Sequence, residues 1–283
     1  MASQLIGHST RQRVLAGAPV TERRLDLAGV STAVLEAGDG PPVVLLHGQG
    51  GWSGMWLPVL PGLTGRRVVA PDLPGLGAST VPDGPPHAAR VMAWLGALVE
   101  RTCPEPPAVV GASLGASIAA RFAIAHPDRL SRLVLVDAGG LGRFRPAPGV
   151  VLALVRFLAR PGERSQRAFL RQVAVDPDRA RALMGADAQA YGLELARTPG
   201  VRAANRVLLR ELGTRPIPPE QLAGIAVPTA LVWGRQDRVM RLGIAEAASA
   251  RYGWPLHVVE GAGHLAVERP EAFRAALAAA LGR

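Results

Sequence analysis

Apolar residues come along this chain in blocks of four to seven, each closed by Gly, Pro or a charged residue. Eight blocks read as strands: RRLDLAG, STAVLEAG, PPVVLLHG, GRRVVAPD, PAVVGAS, SRLVLVDAG, VPTALVWGR and WPLHVVEGAG. The later ones show no polar alternation, the pattern of strands buried on both faces. Between them the apolar spacing lengthens to the helical period, in HAARVMAWLGALVERT, LGASIAARFAIAHP, MRLGIAEAASARYG and RPEAFRAALAAALGR. Strand and helix in alternation predict right-handed crossovers. The expected fold class is therefore α/β, a mostly parallel eight-stranded sheet with helices on both faces.

Two features break this rhythm. The first two blocks are joined only by Ala28 and Gly29, which predicts an antiparallel hairpin at the sheet edge. After LVLVDAGG the strands stop, and from Leu141 to Arg215 only helical patterns follow, such as VVLALVRFLAR, SQRAFLRQVA and VRAANRVLLREL. Gly139-Gly140 and RPIPP mark the two ends of this excursion. The expected organisation is a core of residues 1–140 and 216–283 carrying a helical cap at 141–215. No internal repeat or low-complexity linker is visible.

Composition narrows the class. At 283 residues, 48% apolar and 19% charged, the chain belongs with globular proteins large enough for a sizeable core. The single cysteine, Cys103, allows no internal disulfide and no zinc–cysteine site. MASQLIGHSTRQRV has no apolar stretch of a secretory signal, and no run is long enough to span a membrane. A soluble cytoplasmic protein is expected.

All 32 basic residues are arginine, and against 22 acids they leave a net charge of +10. Fourteen of them face six acids between Leu141 and Arg215, which concentrates about +8 there. No helix-turn-helix, RNP-type aromatic motif or basic tail accompanies the charge, so nucleic acid is not an expected partner. Solvated arginines with stems along apolar helix surface explain it.

The chemistry starts at Gly111-Ala112-Ser113-Leu114-Gly115, between a strand and a helix. A G-x-S-x-G turn in that context presents a strained serine, and its tightness demands small residues on either side. A serine hydroxyl needs an adjacent base, and the base needs an orienting third group. His264 stands in a Gly-rich loop after the last strand, and Asp237 just past ALVWG, giving the chain order Ser113, Asp237, His264. Asp137, at the end of RLVLVD, is the rival acid. The oxyanion donors expected by position are the backbone N–H groups of Gln49 and Leu114. Gly48 and Gly50 would let the backbone approach substrate closely. His47 is expected to brace its loop, Asp72 to bond local backbone, and Trp52, Trp56 and Cys103 to serve packing.

HGQGG, DLPGLGAS, GASLG, WGRQD and GAGHLAVERP, in this order and spacing, resemble the α/β-hydrolase superfamily. The resemblance covers roughly Glu22–Gly140 and Pro216–Leu281, and the excursion between is similar to that superfamily's helical cap. It implies a Ser-Asp-His triad at Ser113, Asp237 and His264, with no cofactor and no metal. Epoxide hydrolases and haloalkane dehalogenases carry Asp where this chain has Ser113. Carbon–carbon bond hydrolases of ring-fission dienoates usually carry Asn before the serine and Trp after the histidine, where this chain has Ala112 and Leu265. Haloperoxidase-like members share the triad.

The expected activity is cleavage of a small, largely apolar carboxylic ester through an acyl-enzyme. Rival readings are the carbon–carbon hydrolase and a low-turnover ligand-binding member of the fold. The apolar stripe VVLALVRFL and Met184 would serve either an acyl pocket or the internal packing of the cap.

Overall fold

The eight apolar blocks form the eight strands of one sheet: β1 (Thr21–Leu27), β2 (Val30–Ala37), β3 (Pro42–Leu46), β4 (Arg67–Pro71), β5 (Ala108–Ala112), β6 (Arg132–Val136), β7 (Thr229–Gly234) and β8 (Leu256–Val259). The structure, a computed structural model, describes residues 10–264 and 268–282. The strand order is β1-β2-β4-β3-β5-β6-β7-β8. β2 runs antiparallel to β1 and β4, and every other pair is parallel. Ala28 and Gly29 turn the β1–β2 hairpin with φ of 50° and 75°, the positive values a two-residue hairpin turn requires.

The helices are α1 (Ala88–Thr102), α2 (Leu114–Ala125), α3 (Pro148–Ala159), α4 (Glu163–Val173), α5 (Pro177–Arg197), α6 (Pro199–Leu208), α7 (Pro219–Ala223), α8 (Leu242–Tyr252) and α9 (Pro270–Leu281). Successive strand residues serve opposite faces, and both faces are covered. Val44, Leu46, Val109, Leu133, Leu135 and Trp233 join Trp94 of α1, Phe122 of α2 and Ala245 of α8. Val43, Leu45, Val110, Val134 and Val232 join Phe273 and Leu277 of α9 and Trp56, which lies in a 3-10 run, Ser53–Leu63. That two-sided burial is why these strands are apolar throughout; each fully buried Leu or Phe contributes about 1.5–3 kcal/mol.

From β3 the chain goes outward to β4 and then back to β5, on the other side of β3. The loops after β3 and β5 therefore diverge at a switch point, where open α/β sheets form their crevice.

Between β6 and β7 the described chain is helical: α3 to α6, then a π turn at Leu209–Gly213 and short α7. Gly185, at φ 73° and ψ 165°, breaks α5. Val150, Leu170, Val173, Ala174 and Ala180 form a small separate cluster. The stripe VVLALVRFL divides: Val150 and Ala153 are buried, while Val151, Leu152, Val155 and Leu158 are exposed, as is Met184. Neither expectation for the stripe holds for those five residues. Packing on α4 covers one side of α3, and its other side, aliphatic apart from Arg156, is left bare.

A helical turn over residues 10–15 ties the N-terminal part to this stretch. Buried Arg11 pairs with Asp72 at 2.9 Å and Glu22 at 2.8 Å, with its guanidinium 4.6 Å from the centre of the Trp52 ring. Thr10 Oγ1 donates to Glu194 Oε1 at 2.9 Å, and Arg13 pairs with Asp187 at 2.8 Å.

Candidate active site

Ser113 lies between β5 and α2 with φ 52° and ψ −109°, a conformation that strains any residue with a Cβ. The sharpness of the turn leaves no room beside it. A Cβ on Gly115 would meet the carbonyl oxygen of His47 at 2.6 Å, and one on Gly111 would meet Ala116 N at 2.5 Å. Leu114 opens α2, so its N–H has no partner within the helix and points from the positive end of the dipole.

His264 follows β8, and its Nε2 lies 3.1 Å from Ser113 Oγ. Its Nδ1 lies 2.8 Å from Asp237 Oδ2. An ionised carboxylate only accepts, so the Nδ1 proton belongs to this bond and the Nε2 lone pair faces the serine hydroxyl. Burial presses the imidazole pKa down, but the charge and hydrogen bond of Asp237, with the charge of Asp137 behind them, push it up to about 9. The other oxygen of Asp237 is engaged too: Oδ1 accepts from Val239 N at 2.6 Å and Met240 N at 2.9 Å. Trp233 Nε1 donates to Met240 O at 2.7 Å, which fixes the same turn to the sheet.

Asp137 stands at the end of β6, where its Oδ1 accepts from Gly234 N at 2.9 Å. The hydrogen bond to the imidazole thus goes to Asp237 rather than to the rival acid. Asp137, Asp237 and His264 bring three donor atoms within 4.8 Å of one another, the candidate metal cluster among the described residues. A cation there would take His264 Nδ1 and Asp237 Oδ2 from each other.

The loop after β3 closes the site on the other side. His47 is fully buried; its Nε2 accepts from Leu73 N at 2.9 Å, so its Nδ1 carries the proton to Gly48 O at 2.8 Å. Burial lowers its pKa, which keeps this bridging imidazole neutral. Asp72 braces the neighbouring loop, accepting from Ser53 N and Ala78 N, each at 2.7 Å. A Cβ on Gly48 would sit 3.3 Å from Ser113 Cβ, so this loop lies directly on the nucleophile's turn. The Gly50 N–H is donated to Asn205 Oδ1 of α6 at 3.0 Å. No hydrogen bond engages the Gln49 N–H among the described residues. Leu265 lies outside the described residues.

Sequence reasoning gave no role to three residues that shape this site. Asn205 holds the loop after β3, and Arg11 joins that loop to Asp72. Glu268, buried, accepts from Gly263 N at 2.5 Å, Val175 N at 3.1 Å and Asp176 N at 3.3 Å. It joins the His264 loop to the α4–α5 connection, where His264 N also donates to Val173 O at 2.8 Å. The one visible signal was the Glu in GAGHLAVERP, four residues after the histidine.

A sequence model described as "Alpha/beta hydrolase family" matches residues 43–276. The chain is 30% identical over 259 residues to a pimeloyl-[acyl-carrier protein] methyl ester esterase of Aeromonas hydrophila, covering 86% of this chain and 96% of that protein. It is also 30% identical over 259 residues to a 2-hydroxy-6-oxo-6-phenylhexa-2,4-dienoate hydrolase of Comamonas testosteroni, covering 82% and 84%. A solved dienoate hydrolase of the same name from Rhodococcus superposes with a TM-score of 0.78 at 28% identity, covering 93% of this chain and 98% of that one. On a family match over most of its length and on relatives of these kinds, the chain belongs to the alpha/beta hydrolase family and is a hydrolase.

Proposed function

We propose that the protein is a serine hydrolase that cleaves a carboxylic ester through an acyl-enzyme intermediate. One observation carries this reading: the unbroken chain of hydrogen bonds from Asp237 through His264 to Ser113, 2.8 Å and 3.1 Å. Ser113 Oγ attacks the ester carbonyl as its proton passes to His264 Nε2. That proton then goes to the leaving alcohol, and water repeats the sequence to release the acid. Asp237 holds the Nδ1–H tautomer throughout. The Gln49 and Leu114 N–H groups receive the oxyanion, each donor worth about 3 kcal/mol. The helical stretch 141–215 serves as a cap over a core of 1–140 and 216–283.

The relative that acts on a pimeloyl methyl ester makes methyl esters of acyl chains the first class to assay. A second reading, carbon–carbon cleavage of ring-fission dienoates, has the dienoate hydrolases among the relatives on its side. Ala112 in place of Asn counts against it.

Purified enzyme and Ser113→Ala, assayed against p-nitrophenyl and methyl esters of graded acyl length beside one ring-fission dienoate, test the proposal. Ester turnover that the variant loses is expected. Dienoate consumed faster than every ester would transfer the enzyme to the second reading. Nothing consumed, with Ser113 still labelled by a serine-directed probe, would make it a ligand-binding member.

A further inference from the structure

Helix α3 carries Arg156 as its one charged residue, yet only one side of it is packed. Val150 packs in the cluster with Leu170 and Val173, and Ala153 is buried as well. On the opposite arc Val151, Leu152, Val155 and Leu158 are 44%, 52%, 57% and 37% exposed. Val155 lies four residues after Val151 and three from both Leu152 and Leu158, which gathers the four on one side of the helix. Exposed aliphatic side chains grouped on one helix face mark a surface with a partner.

The charge around the stripe specifies that partner. Residues 138–162 contain Arg143, Arg145, Arg156 and Arg160 and no acid. All four are exposed. Nearby ion pairs fall outside this segment, at Arg167–Glu163 (3.6 Å) and Arg181–Asp178 (3.9 Å). Two more cations close on the end of α3, where Arg202 Nη2 donates to Leu158 O at 3.0 Å and Arg197 Nε to Pro161 O at 3.2 Å. An apolar stripe on a segment whose charged residues are all arginine suits a helix that lies against the headgroup plane of an anionic bilayer, its aliphatic face in the acyl boundary and its cations at the phosphates.

We propose that the outer face of α3 docks the protein on an anionic lipid surface. The docked helix hangs directly from the candidate site. Ala147 N, just before α3, donates to Arg238 O beside Asp237 at 2.9 Å, and Val173 O, at the end of α4, accepts from His264 N at 2.8 Å. A lipid-bound α3 thus holds the loops of Asp237 and His264 next to the membrane surface, where water-insoluble acyl compounds concentrate. Docking itself does not depend on the ester reading, since it is measured without substrate.

Flotation of the purified protein with vesicles of phosphatidylcholine alone, or of phosphatidylcholine with phosphatidylglycerol, tests the proposal at low and high salt. Binding to the phosphatidylglycerol vesicles, weakened by salt and at least tenfold weaker to phosphatidylcholine alone, is expected. Each arginine near an anionic surface strengthens binding about fivefold, so Arg156→Glu with Arg160→Glu should lose well over tenfold. Leu152→Glu with Val155→Glu should lose at least tenfold, while turnover of a soluble short-chain ester stays within twofold.

No binding by the unaltered protein, or equal binding to both vesicle types, would overturn the proposal. So would a Leu152→Glu, Val155→Glu variant that still binds, that turns a dimer into a monomer, or that folds but loses soluble-ester turnover. Those last two results would assign the face to a second copy of the chain and to the substrate site respectively. If that variant does not fold, the arginine pair decides the matter, because it leaves every apolar position in place.

Discussion

Replacing Asp237 by Asn tests the proposed relay at the level of single protons. Asp237 Oδ1 is committed to the N–H groups of Val239 and Met240, at 2.6 and 2.9 Å, and an Asn keeps those bonds only by placing its own Oδ1 there. Its NH2 then takes the place of Oδ2 and points at His264 Nδ1. An amide NH2 donates, so Nδ1 must accept, and the ring proton moves to Nε2. That proton now faces Ser113 Oγ across 3.1 Å, where a lone pair is needed. The wrong tautomer costs about four orders of magnitude in kcat, about 5 kcal/mol of transition-state stabilisation. The turn survives, so the thermal midpoint should stay within a few degrees. Initial rates on the best ester, with a melting curve on the same sample, measure both. An Asn variant retaining a tenth of the activity would refute the reasoning. A larger loss in Asp137→Asn, whose carboxylate belongs to the same 4.8 Å cluster, would transfer the acid's role to position 137.

The pH dependence of kcat/KM should rise toward alkali with a midpoint of about 9, because only neutral His264 takes the Ser113 proton. An ordinary histidine midpoint near 6.5 would contradict the coupling to Asp237. The same raised value stabilises the fold fully below the ordinary histidine range, and that contribution fades as pH rises through about 9, which melting curves across pH will show. Gly115→Ala drives a Cβ to 2.6 Å from the His47 carbonyl oxygen, and should cost about 1–3 kcal/mol of stability and at least a hundredfold in kcat. Wild-type rate and melting point together would disprove that clash. Glu268→Gln turns one accepting oxygen into a donor facing the N–H groups of Gly263, Val175 and Asp176, so kcat should fall more than KM rises. A variant that changes KM alone would place Glu268 in substrate binding rather than in holding the histidine loop.

The sheet was legible because each strand carries its own signal: an apolar run closed by a turn residue needs no partner to be recognised. So was the position of Ser113, where two glycines and the strand-to-helix change coincide within five residues. Glu268 was not, because its task lies in main-chain N–H groups of residues 175 and 176, brought to it by the fold. Asn205 and Arg11 were hidden for the same reason. A surface-type residue becomes part of the site only when α6 reaches Gly50, or when the 10–15 turn buries a guanidinium against Asp72. The outer face of α3 shows a different limit. Periodicity reveals that a helix is apolar, but which side its neighbours leave uncovered depends on tertiary packing.

The contacts that fasten the helical stretch to the histidine and aspartate loops are made largely by main-chain atoms: Ala147 N to Arg238 O, His264 N to Val173 O, and the Val175 and Asp176 N–H groups to Glu268. Backbone atoms are the same in every residue. Side chains near these two loops can therefore be exchanged without breaking those bonds, while Asn205 and the buried Tyr191, Leu195 and Leu208 tie the rest of the stretch to the core. The demands fall on the other side, on Glu268 and on Gly263, where a Cβ would strike Val173 O. Such a joint lets substrate preference drift through mutation or be redesigned by grafting, while the catalytic loops inherit their support unchanged.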